Sequence, residues 1–394
     1  MVIALVVAVL SACTSAGNGP GGGPSIPTAV ADEPVRLVFL ADLPPSISRS
    51  LDMPAFDGME LAAEQRSGRG GLPTVETELI DLTEDPELAL AAVQDAVADP
   101  AVVGAVIGPF ADPSGAVLTA MAAAHMPVAV LAPGVSLPDD GTWRRLVPPA
   151  GAQARALAKW VRERARGGPV CVAGPSGGGR LMPELYTSLR GAGVRTGVDL
   201  PADDEVPEPD ALEPVVQTLR SSGCRVAVWT GGPVVGGTLR SLLAERGLRR
   251  VIVATTDAAR TDAYIETAGG AAERSMGTCA CIDLLTSTSI DAQRFVNDFQ
   301  FDAGVAPGPY AVEGFDATNL LVDAMAAAVA EGDRSAEQLR AAVAAELAAL
   351  GPRVGLGGRY AFTSDGRRLP STQALIQRSR VIGGRWAPAG RSGG

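Results

Sequence analysis

Basic residues other than arginine are almost absent from this chain. It has one lysine, Lys159, and one histidine, His125. A lone histidine excludes multi-histidine metal sites and tightly limits histidine-based catalysis. Positive charge is in deficit as well: 33 Lys and Arg stand against 44 Asp and Glu, a formal net charge of −11. That balance argues against nucleic acid, whose recognition needs a basic face. The apolar run at 2–10 is too short to cross a bilayer. What remains is a chain of 394 residues, long enough for two domains of ordinary size, each with its own core.

The N-terminus sets the compartment. The apolar run leads into Leu10-Ser11-Ala12-Cys13. An apolar segment followed by small residues is a secretory signal. The Leu-Ser-Ala-Cys order resembles a bacterial lipobox, which implies that residues 1–12 are removed and Cys13 is lipidated. No Lys or Arg precedes the apolar run, a departure from the usual signal. Residues 14–34 are rich in Gly, Ser, Pro and Ala and read as a flexible tether. Acyl chains on Cys13 would hold the chain to a membrane at roughly 0.8 kcal/mol per buried methylene.

Export permits disulfides. Cys171 and Cys224 each lie near the start of a predicted strand in the same half of the chain. They bridge if those strands are neighbours; otherwise all four remaining cysteines are buried thiols. Cys279 and Cys281 are two apart on a predicted strand at 275–284. Side chains at that spacing share a face but stand too far apart to bond, so this pair is expected to stay unbridged.

Apolar periodicity gives the fold. Strands are predicted at 35–40, 75–82, 102–107 and 128–131, and helices at 54–65, 87–98 and from 115 to about 125. Strand and helix alternate, which makes the sheet parallel and doubly wound. An extended crossing segment at 142–148 and a helix at 150–166 come next. A second βαβ series runs through strands at 170–173, 194–200, 225–230, 251–256 and 275–284. Helices at 291–302, 310–330 and 335–350 exceed what a second sheet needs and are expected to cover the first. Short antiparallel strands are read at 359–362, 372–377 and 381–386. The expected fold class is therefore α/β, with two doubly wound parallel-sheet lobes joined by a multi-strand hinge.

Ligands of open α/β sheets bind at the carboxyl ends of strands. Four loops qualify. Gly108-Pro109 leads to Asp112-Pro113-Ser114-Gly115, where Asp112 or the Ser114 hydroxyl stands at a helix start. Pro133-Gly134-Val135-Ser136 follows the next strand. Asp257 follows a strand of the second half, where it also suits a helix cap. Gly174-Pro175-Ser176-Gly177-Gly178 matches the G-x-S-x-G of a hydrolase elbow. That chemistry needs a histidine after the serine, and His125 precedes it, so Ser176 reads as part of a glycine loop. His125 itself suits the C-terminal dipole of its helix. No metal, nucleotide or cofactor motif emerges.

Taken in order, several segments resemble the leucine/isoleucine/valine-binding type of periplasmic binding proteins, the type I substrate-binding lipoproteins of ABC transporters. They are Phe56-Asp57-Gly58-Met59-Glu60-Leu61-Ala62, Leu79-Ile80-Asp81 with Asp85-Pro86, Val106-Ile107-Gly108-Pro109, Ala132-Pro133-Gly134-Val135-Ser136, Gly314-Phe315-Asp316-Ala317 and Phe362-Thr363-Ser364-Asp365-Gly366. The resemblance implies a non-enzymatic monomer that captures a small ligand between two lobes and delivers it to an ABC permease. It implies one lobe of 35–145 plus 285–357, a second of 146–284 plus 358–388, and a tail at 389–394. It places Ser114, the Gly134 backbone, Ser136, Asp257, Tyr310 and Leu51 around the ligand. Asp112-Pro113 is extra, and the tyrosines usual in the second lobe are replaced by Gly177-Gly178 and Pro233. Those departures, with two acids and few aromatics, point to a small polar or cationic ligand. The rival readings are a sensor module that signals to a membrane receptor or kinase, and a hydrolase using Ser176.

Overall fold

The computed structural model describes residues 34–389 except 44–48, 83–84, 139–140, 176–180, 191–193, 201–208, 333–334 and 373–375. Cys13, the tether and Ser176 with its two following glycines lie outside the described residues.

The first half builds a five-stranded sheet from β1 (Val35–Ala41), β2 (Val75–Asp81), β3 (Val102–Ile107), β4 (Val128–Val130) and β5 (Trp143–Arg145). Its order is β2-β1-β3-β4-β5 and every pairing is parallel. All six residues of β3 are buried, as expected of a central parallel strand covered on both faces. Alternation divides the strands between two cores. Leu37 and Phe39 meet α1 (Arg49–Arg66), while Val38 and Leu40 meet α2 (Pro86–Ala98) and α3 (Gly115–Ala123). Asp85 caps α2 by accepting from the Glu87 amide, with Pro86 at the first helical position. The segment expected only to cross between lobes contains β5, because Val128, Ala129 and Val130 still lack a partner on that side.

The second half begins with α4 (Ala150–Ala165) and continues through β6 (Val170–Pro175), α5 (Leu181–Leu189), β7 (Val194–Leu200), α6 (Glu213–Ser221), β8 (Val226–Trp229), α7 (Pro233–Glu245), β9 (Ile252–Thr255), α8 (Asp262–Ala268) and β10 (Ser275–Cys279). Then α9 (Ile290–Ala303), α10 (Ala311–Ala330) and α11 (Ala336–Ala349) return to the first sheet, where α10 packs along α1 and α11 against β3. Gly58 and Gly314 make that α1–α10 contact possible. A Cβ on Gly314 would lie 1.9 Å from the Ala55 carbonyl oxygen, and one on Gly58 would lie 2.2 Å from that of Ala311.

Two short strands, β11 (Arg353–Gly355) and β12 (Gly358–Tyr360), form a separate hairpin. The chain then closes the second sheet with β13 (Gln377–Val381) and β14 (Trp386–Pro388), giving the order β14-β13-β10-β9-β8-β6-β7. The last two strands are antiparallel to their neighbours. Their register differs from the sequence reading because Gly383 and Gly384, both at positive φ, form the turn, so the strands flank 382–385.

Among the described residues there are two disulfides. Cys171 on β6 bridges Cys224, which leads into β8, the neighbouring strand. Cys279 bridges Cys281, contrary to expectation. The predicted strand to residue 284 ends at Cys279, and the backbone bends at 280–281. The two Cα atoms are thereby 5.0 Å apart, against roughly 6.6 Å for positions two apart in an extended strand. Among the described residues, no helix is long and apolar enough to cross a membrane.

Candidate functional site

The strand ends of both sheets meet at a cavity of about 260 Å³. Loops of the first sheet bring Pro109, Phe110, Asp112, Pro133 and Gly134, and the second half brings Gln153, Thr230, Thr256 and Asp257. Ala111, Ala132, Val135, Ala150 and Leu181 make much of the wall small or apolar. Among the described residues the lining holds two carboxylates and no Lys, Arg or His.

Asp52, on the first turn of α1, organises the first-sheet side. Its side chain is buried, and its carboxyl accepts from the Phe110 amide at 3.0 Å and the Asp42 amide at 3.1 Å. It therefore ties the loop after β1 to the loop after β3. Burial pushes its pKa up to about 8, against the lowering effect of the two amide donors. Asp42 is raised to about 6, chiefly by burial, with the nearby charges of Asp112 and Asp81 adding to it. Gly108 passes so close that a Cβ there would meet Asp52 Oδ1, Leu40 O and the Phe39 ring, each at 2.9 Å. This is the physical reason for glycine in Gly108-Pro109.

On the second-sheet side, Asp257 opens a short 3₁₀ turn after β9, and its Oδ1 accepts from the Ala258 amide at 3.2 Å. Its Oδ2 accepts from the Tyr310 hydroxyl. Burial raises the Asp257 pKa, opposed by the hydrogen bonds from Tyr310 and Gln153. Tyr310 is fully buried, caps α10 and has φ +67°. A bulky side chain in that region is a true outlier, held there by its surroundings. Its ring meets Phe110 edge-on at 5.7 Å.

The residues read from sequence divide between wall and surroundings. Asp112, Gly134 and Asp257 line the cavity. Tyr310 reaches it through Asp257. Ser114 is the N-cap of α3, its Oγ accepting from the Val117 amide at 3.3 Å, so the cap is Ser114 and not Asp112. Ser114 and Ser136 are exposed and lie off the cavity wall. Leu51 is buried in α1, also off the wall. His125 lies beyond α3 in the left-handed region, away from the cavity. Gly174 has a packing role, since a Cβ there would lie 2.0 Å from Thr230 Oγ1. Sequence reasoning missed Asp52, Phe110 and Gln153. An acid one residue after Leu51, on a helix of apolar periodicity, was the available signal for the first.

Comparison with known proteins agrees with this geometry. The family model described as periplasmic binding protein matches residues 34–380. No curated protein matches the chain in sequence. Among solved structures it is similar to the branched-chain amino acid transporter substrate-binding protein LivJ of Streptococcus pneumoniae, solved with isoleucine. The TM-score is 0.73 at 14% identity, covering 90% of this chain and 99% of that one. It is similar to the leucine-binding protein LivK of Thermotoga maritima, with TM-score 0.70, 17% identity and 90% and 97% covered. An ABC transporter substrate-binding protein of Desulfitobacterium hafniense in complex with Leu gives 0.64 at 20% identity, with 90% and 100% covered. The chain belongs to the periplasmic binding protein family. It has the α/β fold with two parallel-stranded sheets that these solved structures share.

Proposed function

We propose that this protein captures a small amino-acid-like solute carrying positive charge in the inter-lobe cavity and hands it to an ABC importer. The observation behind this reading is the pair of acids in the lining, Asp112 and Asp257, with no basic side chain among its described residues. An anion would meet two acids there, whereas a zwitterion or cation gains from them. The small apolar wall suits a short aliphatic body. The lobe limits of 35–145 plus 285–357 and 146–284 plus 358–388 belong to the same reading. So does action as a monomer tethered to the outer face of the cell membrane through a lipidated Cys13. Resemblance to the lipobox and the composition of 14–34 support the tether.

Calorimetric titration with leucine, isoleucine, arginine, a diamine and a neutral sugar tests it. Binding by arginine or the diamine, weakened at least tenfold in Asp112→Asn, is the expected result. Tight leucine binding with no response to the cations would sink the charge preference. Silence toward every amine would sink the reading as a whole. Extraction of the full chain with detergent, lost in Cys13→Ala, checks the anchor.

A further inference from the structure

We infer that Tyr310 and Asp257 form a latch that holds the two lobes closed before any solute arrives. The bond runs between halves of the molecule. Asp257 follows β9 of the second sheet, and Tyr310 caps α10, which packs on α1 above the first sheet. The hydroxyl of Tyr310 donates to Asp257 Oδ2, and both groups are shut away from solvent. A hydrogen bond is electrostatically stronger where water is excluded.

Three further features show a built device. The Tyr310 backbone occupies a strained left-handed conformation that aims the ring across the cleft. The ring is braced edge-on by Phe110, whose own amide is held by buried Asp52. From the other side, Asp257 is fixed by the Ala258 amide. The same helix also grips the passages between lobes. Glu313 Oε1 accepts from the Ile282 amide at 2.7 Å, and Asp316 accepts from the amides of Leu356 and Gly357 and from the Tyr360 hydroxyl. Glu313 and Asp316 are neighbours on α10, and Tyr310 is its N-cap. Opening must therefore break the Tyr310–Asp257 bond while the contacts of Glu313 and Asp316 stay in place as the pivot.

The inference needs no knowledge of the solute, so it stands or falls separately from the ligand reading. A two-state cleft is biased by whatever bonds exist only in its closed form. Small-angle X-ray scattering on the full chain carrying Cys13→Ala, in detergent-free buffer, tests it, after dialysis until native mass spectrometry finds no bound solute. The unliganded wild type is expected to match the closed structure. Tyr310→Phe, which keeps the ring and its Phe110 contact, is expected to raise the radius of gyration by roughly 0.5–1 Å over about 20 Å. Asp257→Asn serves as the second variant and is expected to open likewise. Circular dichroism separates opening from unfolding. Equal radii for wild type and both variants overturn the latch. So does an open unliganded wild type. Failure of both variants to fold also counts against it, because a bond at the cleft can be lost without unfolding either core.

Discussion

The two lobes solve the same mechanical problem with different chemistry. In the first, the ligand loops hang from a buried acid, Asp52, which receives backbone amides from both. Its helices are drawn together by glycine against backbone, Gly58 and Gly314 across the α1–α10 contact. In the second, side chains do the positioning: Asp257, Gln153 and Thr256 face the cavity, and a Cys171–Cys224 bridge ties β6 to the entry of β8. One lobe relies on close backbone approach, the other on a covalent tie. The difference teaches that damage to each lobe should be local and of a different kind.

The largest effect should come from cutting the covalent tie. Cys171 and Cys224 are 53 residues apart, and a loop of that size is worth about 4 kcal/mol in the chain-entropy account. The Cys171→Ala/Cys224→Ala protein should lose stability on that scale in denaturant melts. Hydrogen-exchange mass spectrometry should find the lost protection in β6 and β8, with α1 and α10 little changed.

The reciprocal change is Gly314→Ala. Its Cβ would meet the Ala55 carbonyl, so the helices must part, at a cost of about 3 kcal/mol. Here protection should fall in α1 and α10 and persist in the second sheet. If either variant loosens both lobes equally, the contrast between them is void.

Next in size is a pH effect. The folded protein keeps the Asp52 proton up to about pH 8, whereas the unfolded carboxyl releases it near 3.8. The folded state therefore binds more protons in that window. Stability is full below the unfolded value and declines as pH rises through the window. Glu313, also raised to about 8 by burial, contributes in the same direction. Melts of wild type and Asp52→Asn between pH 4 and 8 should show a shallower decline in the variant. Parallel curves would remove Asp52 from its organising role.

The smallest effect belongs to Ser114→Ala, which removes the α3 cap. It should cost about 1 kcal/mol and leave solute affinity within twofold in a calorimetric titration. A larger fall in affinity would return Ser114 to the cavity.

Much of this was legible from the chain. β3 and β4 are valine-rich apolar runs followed by Gly-Pro or Pro-Gly, and Asp85-Pro86 starts a helix as local rules require. Gly58 and Gly314 stood out in family-like motifs, and their packing now gives the reason. The site was less legible because its logic is non-local. Nothing around Asp52 announces that amides of residues 42 and 110 converge on it. Tyr310 and Asp257 are 53 residues apart. Ser114 and Asp112 are both competent caps, and only helix geometry chooses between them. The Cys279–Cys281 bridge was missed because the strand was drawn five residues too long, and an extended backbone forbids what a bend allows.

That bend lies in one of the passages between the lobes, the stretch from β10 to α9. Closing a ring over so few atoms does little for the unfolded chain, whose ends were already close. It does change how the passage deforms. A covalent ring, with Arg260 against the Cys281 sulfur at 3.2 Å and paired to Asp283 at 2.8 Å, makes this stretch an inelastic link. A stiff link there leaves less of any rotation between the lobes to this passage and more to the one from β5 into α4.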